Sequence, residues 1–187
     1  ISFAVSTGSI DRVVSPEFKR AGSRIISIAP AFYDMDSLVP EADGMNAAFG
    51  LVETLISEGK VSAAATLGYG CAAEALFKMG LGNRIGFKMR ADMPTHRMFE
   101  PMYGSIVLEM VSDSPAGELL GETTREYTFE SCGETLDMAE LQEIWESKLE
   151  PVYPYRKAGP TVEKINGKLN APAAPKIGVA KPKVIIP

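Results

Sequence analysis

The sequence predicts an α/β (α+β) domain in which helices pack on one mixed sheet. Short apolar runs that read as strands alternate with segments whose apolar residues have helical spacing. Two strand-like runs also follow each other closely in the second half of the chain, which favours a mixed sheet over a purely parallel one. At 187 residues, the chain is long enough to bury roughly two-thirds of its unfolded surface around one core.

Strands are predicted where apolar or alternating runs end at glycine, proline or polar residues. The run after Glu58 is the clearest, because Gly59 precedes it and Gly68 and Gly70 follow it. By contrast, the Met-rich polar stretch Lys88–Glu100 contains Pro94 and is predicted to be a loop. The predicted strands are Ile1–Ser6, Arg24–Ile28, Val61–Leu67, Gly104–Val111, Leu119–Thr124 and Glu126–Glu130.

Helices are predicted from spacing and from end signals. Ser15 followed by Pro16 is typical of an N-cap and first helical position, so a short helix through Arg20 is expected, with Gly22 closing it. The predicted longer helices are Asp43–Glu58, Cys71–Met79 (stopped by Gly80 and Gly82) and Leu136–Leu149, which is terminated by Pro151 and Pro154.

The composition is that of a soluble globular domain, with 45% hydrophobic and 23% charged residues. A membrane span is not expected, since no run of about eighteen apolar residues occurs. Cys71 and Cys132 are too few for a disulfide framework and are predicted to be reduced thiols in a cytoplasmic protein.

The net charge of −5 conceals an uneven distribution. Seven of the 19 basic residues but one of the 24 acidic residues lie from Arg156 onward, which leaves the first 155 residues at −11. A basic tail can indicate nucleic-acid binding, but this one has no interleaved aromatic residues and its lysines stand among proline, alanine and glycine. It is therefore interpreted as a linker that can lie on the acidic domain, and no nucleic-acid partner is expected.

A strand, a glycine turn and a helix follow one another directly between Val61 and Met79. Glycines such as Gly68 and Gly70 let the backbone approach a bound group closely. The first N–H groups of the following helix have no partner within the helix, so such a turn can hold a phosphate or carboxylate. The alternative is a turn that only packs the helix, and the pattern alone does not decide between them.

Four stretches of the chain resemble one enzyme family. LGYGCAAEALFKMGLGNRIGF (residues 67–87), SFAVSTGSIDRVVSPEFKRAGSRI (2–25), FEPMYGSIVLEM (99–110) and GETLDMAELQEIWESKLEPVYP (133–154) are similar in sequence, order and spacing to the single-chain formylglycinamidine ribonucleotide synthases. The resemblance is to the C-terminal lobe of the second synthetase half. It implies the fold of the C-terminal domain of aminoimidazole ribonucleotide synthetases.

The resemblance implies a domain organisation and a set of partners. Residues 1–155 would be the synthetase lobe, 156–182 a linker, and 183–187 the start of a glutaminase domain that is missing here, so the chain is expected to be a fragment. Its partners would be the preceding synthetase lobe and that glutaminase domain of the same chain, together with small-molecule substrates. As a whole, the family is an ATP-dependent C–N ligase that uses glutamine, ATP/ADP and Mg²⁺.

The resemblance also implies a role for this lobe. Since the second synthetase half holds a nucleotide that is not turned over, the lobe is expected to form a wall of a non-catalytic nucleotide cleft and to be inactive in isolation. Alternatives are a ligand-free interaction domain, or the C-terminal lobe of another ATP-dependent synthetase of the same superfamily.

The candidate residues lie in two segments. The first is the glycine turn with the start of the next helix, where Cys71 replaces a glycine that the family usually has and Glu74 could bind a metal or a ribose hydroxyl, or only support the helix. The second precedes a strand, where Gly104 allows a close approach. No catalytic residue or metal ligand is assigned. The tentative nucleotide-binding residues are Thr66, Gly68, Gly70, Cys71, Glu74, Tyr103, Gly104 and Ser105.

Overall fold

The computed structural model describes residues 8–34 and 36–154. Over these ranges the chain forms seven strands and three α-helices, with short 3₁₀ turns at Ile10–Arg12 and Thr95–Phe99. In chain order, the elements are β1 (Arg24–Ile28), α1 (Ala42–Ser57), β2 (Val61–Thr66), α2 (Cys71–Leu81), β3 (Gly86–Met89), β4 (Ile106–Met110), β5 (Glu118–Thr124), β6 (Thr128–Ser131), β7 (Glu134–Asp137) and α3 (Met138–Ser147).

All seven strands belong to one mixed sheet in the order β2-β4-β1-β5-β3-β6-β7. Neighbouring strands are antiparallel except for β3 and β6, which are parallel. The predicted fold class, a mixed sheet with packed helices, is therefore confirmed.

The sheet has an apolar core on each face. Alternate residues of β1 and β4 point to opposite sides: Ile25 and Val107 lie in one core, whereas Ile26 and Leu108 lie in the other. Helices α2 and α3 cover the first face through residues such as Leu76, Met79 and Met138. Helix α1 covers the second face with Ala48, Val52 and Leu55.

The predicted helix from Ser15 to Arg20 is wrong. Ser15 forms an isolated parallel bridge with Ala63 of β2, and its hydroxyl donates to Glu17 instead of capping a helix. The Phe18 N–H donates to the carbonyl of Met79, and the Phe18 side chain is fully buried. Backbone groups that a helix would use are thus bonded to distant parts of the chain, and tertiary contacts override the local capping signal.

Glu109 on β4 holds this same segment in place. Its carboxylate is fully buried and accepts hydrogen bonds from the backbone N–H groups of Lys19 (2.7 Å) and Arg20 (3.2 Å). The Arg20 side chain then donates to the carbonyl of Val111, just beyond the end of β4. The segment between Ser15 and Gly22 is therefore attached to the sheet by a buried charge as well as by Phe18.

The sequence also missed two strands. Residues 86–89, partly within the predicted loop, form β3, which inserts between β5 and β6, so the two strands predicted to follow each other are not neighbours in the sheet. Residues 134–137 form β7 and displace the start of the last helix to Met138, where Asp137 caps it by accepting from the N–H groups of Ala139 and Glu140.

The predicted stop at Gly80 is also wrong, because α2 continues through it to Leu81. A side chain at Gly80 would meet the carbonyl oxygen of Ile85 at 2.7 Å and the Met138 methyl at 2.8 Å, so this glycine permits close packing. The remaining helices and strands in the described ranges agree with prediction to within a few residues.

Other predictions concern residues outside the described ranges. These are the strand at 1–6, the linker at 156–182 and the segment 183–187. None of the helices that the structure does describe combines the length and apolar content needed to cross a membrane.

Replacing Glu109 tests how much the buried carboxylate contributes. Glu109→Ala leaves two backbone N–H groups unpaired inside the protein and is expected to lower the free energy of unfolding by about 2–4 kcal/mol. Glu109→Gln keeps an acceptor oxygen and should cost less. Urea denaturation measures both. The control is Glu122→Ala, which removes an exposed carboxylate from β5; equal losses at positions 109 and 122 would contradict the assignment.

Candidate functional site

The two predicted site segments lie side by side in the structure. Thr66, the last residue of β2, pairs with Ile106, the first residue of β4. The Leu67 N–H donates to the carbonyl of Ser105 (3.1 Å), and the rings of Tyr69 and Tyr103 meet edge to face with centroids 6.2 Å apart. We call residues 66–71 and 103–105 together the double loop.

The segment Tyr103–Ser105 of the double loop packs closely against the loop residues before α1. Gly104 has φ +79°, and a side chain there would come within 3.2 Å of Pro30 and 3.3 Å of Pro40. Ser105 is fully buried, and its hydroxyl lies 3.3 Å from the Tyr33 hydroxyl. Glycine is needed at 104 for its backbone conformation and for close packing, and these contacts fix the position of Tyr103.

The glycine turn is not a vacant anion-binding site, because the carboxylate of Glu74 already binds there. Glu74, in the first turn of α2, accepts from the Gly70 N–H through Oε2 (2.9 Å) and pairs with Lys78 through Oε1 (2.5 Å). These interactions hold the pKa of the Glu74 carboxyl below its ordinary value, the bond from Lys78 being the larger cause and that from Gly70 the next. A side chain at Gly70 would lie 2.4 Å from this carboxylate oxygen.

Cys71 has a backbone conformation that favours glycine. Its φ is +58°, a left-handed conformation that glycine adopts freely and that costs other residues about 1–3 kcal/mol. The buried thiol donates to the carbonyl of Phe99 (3.2 Å), which joins the turn to the 3₁₀ segment Thr95–Phe99. Burial, reinforced by Glu74, raises the thiol pKa, so Cys71 is unsuited to be a nucleophile.

Aromatic side chains form an exposed rim around the double loop. Tyr69 is 93% exposed and Phe99 is 63% exposed, while Tyr103 is half-buried. Thr66 and Gly68 are exposed at the same edge. This surface offers apolar and ring contacts, together with the backbone of an accessible glycine.

Nearby residues that could have been ligands have structural partners. The Asn83 amide donates to the carbonyl of Phe18 (2.7 Å), and the Arg84 guanidinium stacks over the Tyr127 ring at 4.3 Å. His96 is exposed, and its Nε2 lies 3.7 Å from a carboxylate oxygen of Glu100, one helical turn away in sequence.

No cluster of side chains that could hold a metal ion by itself occurs among the described residues. No group of three or more histidine, cysteine, aspartate or glutamate side chains converges anywhere in residues 8–34 and 36–154. Glu74, the carboxylate next to the double loop that was predicted to be able to bind a metal, is already bonded to Lys78 and Gly70. Hard divalent cations prefer several oxygen ligands, so this part of the chain does not provide a metal site by itself.

Comparisons with known proteins identify the fold. No protein-family model matches the chain, and no curated protein does either. Among solved structures, Thermotoga maritima PurL complexed with AMPPCP aligns with a TM-score of 0.56 at 16% identity, over 71% of this chain and 27% of that one. PurLQS from the same organism gives 0.57 at 15% identity, over 69% and 27%.

A third structure extends the alignment. Phosphoribosylformylglycinamidine synthase II from Thermotoga maritima aligns over 86% of this chain and 30% of its own, with a TM-score of 0.55 at 16% identity. The chain thus shares the fold of one part of these proteins, and it spans about 27–30% of their length.

The Glu74 contact predicts a pH-dependent contribution to stability. Because its folded pKa lies below the ordinary 4.5, the contribution is present above pH 4.5 and is lost as pH falls through the folded value. Glu74→Gln should lower the free energy of unfolding at neutral pH by about 0.5 kcal/mol, a small value because the side chain is more than one-third exposed.

Urea denaturation of wild type and Glu74→Gln at about pH 7 and about pH 3 measures this contribution. The difference between them should shrink at the lower pH. Glu53→Gln, an exposed carboxylate on α1, is the control and should show no such convergence. A difference that persists unchanged in acid would contradict the role of the charge.

The thiol of Cys132 should react with a disulfide reagent before the thiol of Cys71. Cys132 is exposed and its pKa is lowered, chiefly by a hydrogen bond from Thr95, whereas the Cys71 pKa is raised by burial. An aromatic disulfide reagent should therefore modify one thiol quickly in the folded protein, at a rate that reaches half its maximum below pH 9.0. Cys132→Ser should abolish that fast phase, and a fast phase surviving in this variant would disprove the order.

Proposed function

We propose that this chain is a lobe of an ATP-dependent formylglycinamidine ribonucleotide synthase and that the double loop forms one wall of a nucleotide cleft. The likeness of its fold to PurL structures carries the proposal, and the four sequence stretches that resemble the same family support it independently. Those structures include complexes with ATP, ADP and FGAR.

The proposed reaction of the complete enzyme joins ammonia from glutamine to the amide carbon of formylglycinamide ribonucleotide after ATP activates the amide oxygen. Such chemistry depends on positioning and on charge neutralisation. At the double loop, the Cys71 thiol is buried with a raised pKa and the Glu74 carboxylate is held in an ion pair, so neither is suited to act as a nucleophile. We therefore propose that this lobe is non-catalytic and that it is inactive in isolation.

The proposed binding residues remain Thr66, Gly68, Gly70, Cys71, Glu74, Tyr103, Gly104 and Ser105, but their roles differ. Gly68 and Thr66 are exposed and can approach a ligand directly, whereas Ser105 and Gly104 position the loop. Since Glu74 already occupies the Gly70 N–H, contact through Tyr69, Tyr103 and Gly68 with uncharged parts of a nucleotide is favoured over contact with a phosphate.

We further propose that the second lobe of the cleft, a glutaminase domain and any magnesium ligands belong to parts of the protein beyond these residues, and that the protein is cytoplasmic. The exposure of the Tyr69 and Phe99 side chains supports the proposal that another lobe covers this surface.

A ligand-free interaction domain is the competing function, and one observation favours it. The Glu74 carboxylate supplies internally the negative charge that a helix N-terminus attracts, so α2 needs no external anion. In that case the double loop would only dock against a neighbouring lobe.

Calorimetric titration with ADP and Mg²⁺ separates the two functions. It compares this chain with a longer chain that includes the preceding lobe. We expect binding to the longer chain only, weakened about tenfold or more by Gly68→Trp. A side chain at Gly68 has its nearest neighbour 4.0 Å away, so this bulky residue can obstruct the cleft without disturbing the fold.

Gly50→Trp is the matched control, because a side chain at Gly50 on α1 meets no atom within 4 Å. It should leave affinity unchanged. If neither chain binds while both remain folded, the nucleotide-binding proposal is wrong and the docking function stands. If Gly68→Trp binds normally, the cleft exists but the double loop is not its wall.

A further inference from the structure

The end of α3 presents an apolar surface that no described residue covers. Leu141 is half-buried and packs on the core, and the ring of Trp145 meets Phe77 edge to face with centroids 6.1 Å apart. Beyond this contact, the apolar stripe continues into solvent. Its exposed members, which we call the α3 stripe, are Ile144 (57%), Trp145 (48%), Leu149 (69%), Val152 and Tyr153.

The stripe lies in acidic surroundings. Between residues 137 and 154 there are five acidic residues and one basic residue. Four of the acidic residues (Glu140, Glu143, Glu146 and Glu150) repeat every three or four positions along α3 and its C-terminal turn. An apolar strip beside regularly spaced carboxylates suits an occupant that is both apolar and basic.

The chain contains such an occupant fifteen positions after Ser147, the last residue of α3. Residues 162–169 read VEKINGKL, in which Val162, Ile165 and Leu169 alternate with Lys164 and Lys168. The whole stretch from Arg156 onward carries seven basic residues and one acidic residue. We propose that residues 162–169 bind the α3 stripe of the same molecule, and this proposal does not depend on the function proposed above.

The connection is long enough for this contact. Seven residues separate Pro154 from Val162, and such a stretch can extend to about 25 Å. Helix α3 has ten residues and is about 15 Å long, so every part of the stripe can be reached. A short tether also gives the segment a millimolar effective concentration, at which even weak apolar and charge contacts are populated.

Trp145 reports directly on this contact, because it is the one tryptophan of the chain and part of the stripe. Acrylamide quenching of its fluorescence is measured in the full 187-residue chain. Covering the stripe should protect the ring, so Ile165→Asp/Leu169→Asp is expected to raise the quenching constant about twofold and to shift emission to the red. Lys164→Glu/Lys168→Glu should produce a smaller change in the same direction.

The matched controls are the same types of substitution, apolar to Asp and Lys to Glu, at positions after residue 169. Ile177→Asp/Val179→Asp and Lys176→Glu/Lys181→Glu should leave Trp145 as protected as in wild type. If Trp145 is equally accessible in all variants and wild type, the proposal is wrong. Equal effects of the test and control pairs would also overturn it, because the contact would then not belong to residues 162–169.

A second copy of the chain is the alternative occupant. In that case the quenching constant of the wild type would rise on dilution over a roughly hundredfold range of concentration. Light scattering would report a dimer at the upper end. Either result overturns the intramolecular contact, which predicts protection independent of concentration.

Discussion

The buried carboxylate of Glu109 is the interaction on which the first half of the domain depends. It lies on β4, between β2 and β1, in the part of the sheet that both cores share. A charge without water is costly unless its hydrogen bonds are satisfied, and the Lys19 and Arg20 N–H groups satisfy it. The segment from Ser15 to Gly22 therefore follows the sheet in an irregular path, because a helix would withdraw those donors.

Elements marked by local sequence signals could be predicted, whereas those decided by distant partners such as Glu109 could not. Helices α1 and α2 and the strands β1, β2, β4 and β5 were predicted because their periodicity is strong and their ends are marked locally. The Ser15-Pro16 signal is just as clear, yet it failed since the deciding partner, Glu109, is about ninety positions away. Strands β3 and β7 were missed because β3 runs into the segment predicted to be a loop and β7 into the segment predicted to be the last helix.

The structure brings the two predicted site segments together, and it adds an ion pair at the glycine turn that the prediction did not include. The glycine turn and the Tyr103-Gly104-Ser105 segment are adjacent because β2 and β4 are paired, and both segments were identified by their glycines. That Glu74 bonds Gly70 and Lys78 follows from helical geometry at spacings of four, so this contact was readable from the sequence. The Cys71 thiol bond to Phe99 was not, because it joins residues in separate elements.

An internal anion at the start of α2 limits how the double loop can serve a nucleotide. A phosphate placed about 4 Å from the Glu74 carboxylate would be repelled by about 1 kcal/mol per unit charge even in water, and more where solvent is excluded. Lys78 offsets this charge but is itself held in the pair. The Tyr69 and Tyr103 rings carry no charge, so the carboxylate of Glu74 does not weaken the stacking of an uncharged ring on them. In the proposed nucleotide cleft, such a wall would bind through shape and aromatic contact, and the neutralisation of phosphate would fall to the opposite lobe.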